Sequence, residues 1–218
     1  MLKKVLFKKI LLAVLIVAAG SLAVADAKEL APNVRYQNDY TIISDKNLYR
    51  DFVPVNPDGL VNAVVEIPTG YNDKWEVGKN GIMNWELKDG KPRIVEYLGY
   101  PGNYGMVPRT VGGDGDSLDI LVLGPTIPRG TWVNVKIIGA LKLMDKGEVD
   151  DKLIAVVPGS YFASCDSLAD LNEKFPGVTT IVETWFTNYK GAGKMKSQGF
   201  VEAEEARQII DAAVKAYQ

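Results

Sequence analysis

The chain has 218 residues, 47% hydrophobic and 24% charged, a size and mixture suited to one globular core and not to a disordered polymer or a multi-span membrane protein. It has no histidine and a single cysteine, Cys165. Ser-His-Asp and Cys-His catalysis, histidine zinc sites and an internal disulfide are thereby excluded, and any catalysis falls to carboxylates, Lys, Arg, Tyr or a metal held by oxygen.

Lys3, Lys4, Lys8 and Lys9 precede an uncharged run of 16 residues from Ile10 to Ala25, followed by Ala25-Asp26-Ala27. This is the tripartite pattern of a secretory signal peptide, and the run is short of the roughly 20 residues that a spanning helix needs. The expectation is cleavage after Ala27 and an exported protein, periplasmic or secreted, with no membrane association once residues 1–27 are gone; an uncleaved anchor is the competing reading. Without residues 1–27 the 25 basic and 27 acidic side chains lose four Lys and one Asp, leaving 21 against 26 and a net charge of −5. Such a balance argues against nucleic acid as a partner.

Residues 28–60 are mixed and polar and read as an N-terminal extension with short strands at most. From Val61 the period-2 and β-branched signals gather: Asn62 to Ile67, Lys74 to Val77, Ser117 to Leu123, Thr131 to Leu143 and Lys152 to Val157. Pro68, Gly70, Pro101, Gly112-Gly113, Gly124-Pro125 and Pro128 punctuate them. The expectation is a mostly antiparallel β-core, a small barrel or sandwich, occupying a domain of residues 61–218. The period then changes. Ser167 with Asp170 resembles a capping box, and Val178, Ile181, Val182, Trp185, Phe186 and Tyr189 fall on one helical face. A last helix over Glu202 to Ala216 sets Ala206, Ile209, Ile210 and Ala213 on a second face, so the fold class is α+β, mainly β, with helices at the C-terminal end.

Asp114, Asp116 and Asp119 crowd into six residues beside Gly112, Gly113 and Gly115, directly before an apolar strand. Carboxylates this close repel unless a cation neutralises them, and an all-oxygen donor set selects a hard ion, Mg2+ or Mn2+. A solvated Asp/Gly turn is the competing reading. An EF-hand loop is excluded, because Asp119 and Pro125 stand where it needs Gly and Glu. A second acidic stretch, Asp145 to Lys152, reads alone as a hairpin tip; set against the first, it makes a multi-metal site of the kind that clamps attacking and leaving oxygens in phosphoryl transfer. Lys74, Arg93, Lys152, Lys190 and Lys194 read individually as surface charges, yet an anionic substrate at such a cluster would draw on them.

Taken in order, Glu66-Ile67-Pro68, Lys74-Trp75-Glu76, Tyr100-Pro101-Gly102-Asn103-Tyr104-Gly105, Asp114-Gly115-Asp116-Ser117-Leu118-Asp119, Gly139-Ala140-Leu141-Lys142, Asp145 through Asp150 to Lys152, and Tyr189-Lys190 resemble one family, the soluble Mg2+-dependent inorganic pyrophosphatases of the first type. The resemblance runs from about Val61 to about Lys196. It implies a five-stranded OB-like β-barrel with flanking helices, hydrolysing pyrophosphate to two orthophosphates with Mg2+. Carried over by position, Asp114, Asp119 and Asp150 would hold the first metal, with Asp119 bridging to a second; Asp145 and Glu66 would complete the outer metal sites. Asp116 would be general base on the attacking water. Lys74, Arg93, Tyr189 and Lys190 would bind phosphate oxygens and the leaving group, supported by Tyr104, Lys152, Glu76 and Tyr100. Ser117 departs from the Pro or Glu usual at its position, and Arg93 stands at a slightly altered spacing before Tyr100. Asp150 is preferred to Asp151 on the Asp-x-Lys pattern. Bacterial relatives often form hexamers, so a homo-oligomer accords with the resemblance. Two other readings stand beside it: a non-catalytic exported module binding divalent cations, and a phosphohydrolase of polyphosphate or nucleotides.

Overall fold

The computed structural model describes residues 30–218, and the expected leader, residues 1–27, lies outside them. In chain order the elements are β1 (Val34–Asn38), β2 (Thr41–Ser44), β3 (Val61–Ile67), β4 (Trp75–Val77), β5 (Met83–Trp85), β6 (Leu87–Lys88), β7 (Lys91–Pro92) and β8 (Asn103–Met106). They continue with β9 (Asp119–Leu123), β10 (Trp132–Asp145), β11 (Glu148–Val149), β12 (Lys152–Val156), α1 (Leu168–Lys174), α2 (Val178–Asn188), β13 (Met195–Glu202) and α3 (Ala203–Tyr217). Among the described residues no helix is long and apolar enough to cross a membrane.

Five strands close on themselves in the order β3, β8, β9, β12, β10 and back to β3. The expected antiparallel pairing holds around this ring except between β9 and β12, which run parallel with Lys152 opposite Asp119. β10, 14 residues long, makes the closure: Trp132–Val135 pair with β3, and Lys136–Leu141 with β12. Strands β9 and β12 are covered on both faces. Ile120, Val122, Leu153 and Ala155 join a cluster under α3, whereas Leu121, Leu123, Ile154 and Val156 join one under α1 and α2. A strand buried on both sides reads as a continuous apolar run, which is why Ile120 to Leu123 shows no alternation.

The helices follow their caps. Ser167 Oγ accepts from Asp170 N at 3.0 Å to open α1, and the Asp170 carboxylate accepts in turn from Asp166 N at 2.8 Å. In α2, Val182, Trp185 and Phe186 are buried as the spacing predicts, but Ile181 is 61% exposed. The buried stripe is narrower than the sequence spacing because α2 enters the core through Val182, Trp185 and Phe186 and leaves Ile181 outside it. α3 begins one residue later than expected and buries Ala206, Ile210 and Ala213. β13 was not expected from the sequence: its residues are mixed, and at the bulge the register jumps from Leu141–Phe200 to Leu143–Ser197 around Gly199, at φ +88.

Residues 30–60 are more ordered than short isolated strands. β1 and β2 join β5 and β4 in a four-stranded sheet. Leu48, Tyr49 and Phe52 are buried in a third cluster with Trp75, Met83 and Met106, which ties this segment to the ring through β8.

Candidate active site

A cleft of about 480 Å3 opens at the ends of β4, β8, β9 and β12. One wall is the acidic loop. Gly112 N donates to Asp116 O at 2.6 Å and Gly115 N to Gly112 O at 3.2 Å, a tight turn that Gly115, at φ +85, can adopt without strain. Asp116 N donates to Asp114 Oδ1 at 3.1 Å. Below the loop Thr110 Oγ accepts from Leu118 N at 2.9 Å and donates to Val107 O at 2.6 Å, so the strand that starts at Asp119 enters the ring in a set register.

The parallel pairing of β9 with β12 brings the two acidic stretches together. Lys152, fully buried, donates from Nζ to Asp119 Oδ2 and to Asp150 Oδ1. Burial alone would lower the Lys152 ammonium; the two carboxylates hold it up instead. Asp119, against the effect of burial, is kept below the usual carboxylate range by Lys152 and Lys74. Asp151 turns the other way: its Oδ1 accepts from Leu143 N at 3.1 Å, and it does not line the cleft. Lys190 Nζ sits 2.7 Å from Asp145 Oδ2, while Asp145 Oδ1 is buried without a hydrogen-bond partner.

The opposite wall is built by two hairpins. Lys74 N donates to Arg93 O, Glu86 N to Lys74 O and Arg93 N to Glu86 O, at 3.0, 2.8 and 2.8 Å. This backbone braid brings Lys74 and Arg93 to the same wall of the cleft. Lys74 Nζ pairs with Glu76 at 2.7 Å and lies 5.0 Å over the Tyr104 ring, and Arg93 Nη1 is held by both oxygens of Glu86 at 2.7 and 2.8 Å. Glu66, on β3, is buried and accepts from Val77 N at 2.6 Å; burial pushes its carboxyl up to about 8, with Lys74 pulling the other way. Burial and then Asp114 raise the Asp116 carboxyl above its ordinary value.

Thirteen of the fourteen expected positions meet on this cleft: Glu66, Lys74, Glu76, Arg93, Tyr104, Asp114, Asp116, Asp119, Asp145, Asp150, Lys152, Tyr189 and Lys190. The fourteenth, Tyr100, does not line it and packs instead against the Tyr104 and Trp185 rings. Lys194 is exposed elsewhere. Ser117 lines the cleft without supplying a carboxylate. Tyr49, Lys79, Asn84, Glu86 and Glu148 line it too and were not expected. Glu86 had one legible signal, its position in a hairpin that turns at Asp89-Gly90, both at positive φ.

The lining fits hard divalent cations. Nine carboxylates face five cationic side chains, every donor is oxygen, and the buried Asp145 Oδ1 has an unmet lone pair. Among the described residues no three carboxylates already converge on one point, because Lys152 stands between Asp119 and Asp150.

The inorganic pyrophosphatase family profile matches residues 63–218. The inorganic pyrophosphatase of Neisseria meningitidis serogroup B is 32% identical over 161 residues, 72% of this chain and 88% of that protein. That of Nanoarchaeum equitans is 35% identical over 166 residues, 72% and 97% respectively. Among solved structures, the type I inorganic pyrophosphatase from Toxoplasma gondii superposes with a TM-score of 0.77 at 26% identity, covering 84% of this chain and 96% of that one. Fold, cleft and sequence thus agree along the same stretch of residues, and the chain belongs to the inorganic pyrophosphatase family.

Proposed function

We propose that this chain hydrolyses pyrophosphate to two orthophosphates in the cleft between the acidic loop and the Lys74–Arg93 wall. The observation that carries the reading is the convergence of thirteen of the fourteen expected side chains on one cavity, in a chain that belongs to the family. Divalent ions, Mg2+ first and Mn2+ as the alternative, would be held by Asp114, Asp119, Asp150, Asp145 and Glu66 and would supply charge neutralisation and activation of the attacking water.

The chain's own residues do the rest. Lys74, Arg93, Tyr189 and Lys190 hold the phosphate oxygens by charge-assisted and hydroxyl hydrogen bonds. Lys190 and Tyr189 stand where the departing phosphate gains charge as the bridging P–O bond breaks. Asp116, its carboxyl raised above its ordinary value by burial and by Asp114, takes the proton as water adds to phosphorus. Lys152 neutralises Asp119 and Asp150 so that both stay aimed into the cleft, and Tyr104 lines it beside them. We read the closed ring of five strands as the OB-like barrel that presents these groups.

Asp116→Asn tests the proton transfer. It should keep the fold and lower kcat by about 10²–10⁴ in a phosphate-release assay; undiminished turnover would remove Asp116 from the role. We propose that residues 1–27 are a leader cleaved on export. Finding Lys28 as the first residue of the protein recovered from its native cells supports it, and Met1 there refutes the cleavage.

A further inference from the structure

Arg129, in the connection from β9 to β10, is fully buried and does not line the cleft, yet it grips the wall that does. Its Nε donates to Glu66 O at 2.8 Å and its Nη2 to Asp73 Oδ2 at 2.6 Å. Those two acceptors bracket the connection from β3 to β4, at whose ends Glu66 and Lys74 carry a metal-ligating carboxylate and a phosphate-binding ammonium in the proposed reaction. Asp73 pairs with Ile94 as a single antiparallel bridge, and side chains alternate along such backbone, so Lys74 lines the cleft while its neighbour Asp73 meets Arg129. The same Asp73 oxygen accepts from Trp75 Nε1 at 2.8 Å.

The guanidinium stands on a fixed base. Gly130 N donates to Val65 O at 2.7 Å and Val65 N to Thr131 O at 2.9 Å, which binds the residues after Arg129 to β3 beside Glu66. Arg129 O accepts from Ala31 N at 2.8 Å, and a Cβ on Gly130, at φ +81, would lie 2.6 Å from the Val34 side chain. The Trp75 and Tyr71 ring centroids lie 5.1 and 5.8 Å from Arg129 Cζ. A buried ion pair is weak evidence for stability, because desolvation offsets much of the attraction. A planar fork with donors set on two acceptors does fix a distance, and a single ammonium does not reproduce it.

We propose that Arg129 is a positioning residue for hydrolysis: it fixes the separation of Glu66 from Asp73-Lys74 and so holds the Lys74 ammonium where it meets the phosphate oxygens. The inference rests on the pyrophosphatase reading with Lys74 as a phosphate ligand, and extends it to a side chain that does not line the cleft.

The test compares the full chain with Arg129→Lys, Lys74→Met, the double variant and Asp73→Asn, by phosphate release from pyrophosphate with Mg2+, by calorimetric binding of orthophosphate with Mg2+ and by thermal melting. Arg129→Lys keeps the charge and loses the fork. It should raise KM about tenfold, weaken orthophosphate binding by a similar factor and leave kcat within about threefold, because Asp116 stands on the other wall. A purely structural loss does the reverse: it lowers the melting temperature and, through the unfolded fraction, kcat, with KM unmoved. In the Lys74→Met background Arg129→Lys should raise KM by less than about twofold, since it acts through that ammonium. Asp73→Asn, which keeps an acceptor but not the charge, should raise KM about threefold, and it carries the test if Arg129→Lys does not fold. An unchanged KM, a fall in kcat without a rise in KM, orthophosphate binding equal to the parent's, or a further tenfold rise in the double variant would each overturn the proposal. Failure of the unmodified chain to release phosphate would instead strike the functional reading itself.

Discussion

Lys152 is the residue on which the metal-free site balances. It is buried beside Asp119 and Asp150, and removing one member of such a group leaves like charges together in a desolvated place. Lys152→Met should cost about 3–5 kcal/mol in denaturant unfolding with a chelator present, and added Mg2+ should recover part of it. A variant as stable as the parent under chelation would mean that Asp119 and Asp150 do not need this cation. Glu66 titrates in the opposite sense. Its carboxyl is raised from 4.5 to about 8, so the native state binds more protons than the unfolded state between those values, and stability falls as pH rises through them. In chelator, Glu66→Gln should therefore gain on the parent from pH 5 to pH 8, as measured by urea midpoints; parallel curves would contradict the burial argument. These residues were legible as types in an order, but their pairing was not, because which cation meets which carboxylate depends on the β9–β12 register.

At the scale of elements, β8 is the piece that brings the two walls together. Gly105 lies where a Cβ would stand 1.8 Å from Val64 O, so any side chain there must separate β8 from β3. Gly105→Ala should destabilise by about 1–3 kcal/mol or more, seen in melting, and should weaken turnover as well, because Tyr104 and Asp119 ride on the displaced strands. A variant with parental melting would show that the strands can part cheaply. Strands β3, β9, β10 and β12 could be read in advance from β-branched runs bounded by Gly and Pro, and α1 and α3 from a cap and a face. β13 could not, because its residues alternate weakly and its register depends on a bulge against β10. Ile181 misled for a related reason: helical spacing gives the face, whereas the width of the buried stripe is set by what the helix leans on.

For the whole molecule, residues 30–60 change the picture most. The sequence suggested an extension with short strands at most, yet Leu48, Tyr49 and Phe52 find apolar partners on β4, β5 and β8 that are far away in sequence. The same separation hid Tyr49 from any local pattern. The collinear motifs from Glu66 to Lys190 were visible because each sits within a few residues of its neighbours, whereas a contribution folded in from the N-terminal side carries no spacing to read. The central claim, that the assembled cleft hydrolyses pyrophosphate, is tested most directly by counting orthophosphate released from pyrophosphate by the purified chain with Mg2+ and with chelator. Two phosphates per pyrophosphate with Mg2+ and none with chelator is the predicted result; no release in the presence of Mg2+, from protein shown to be folded, would contradict it.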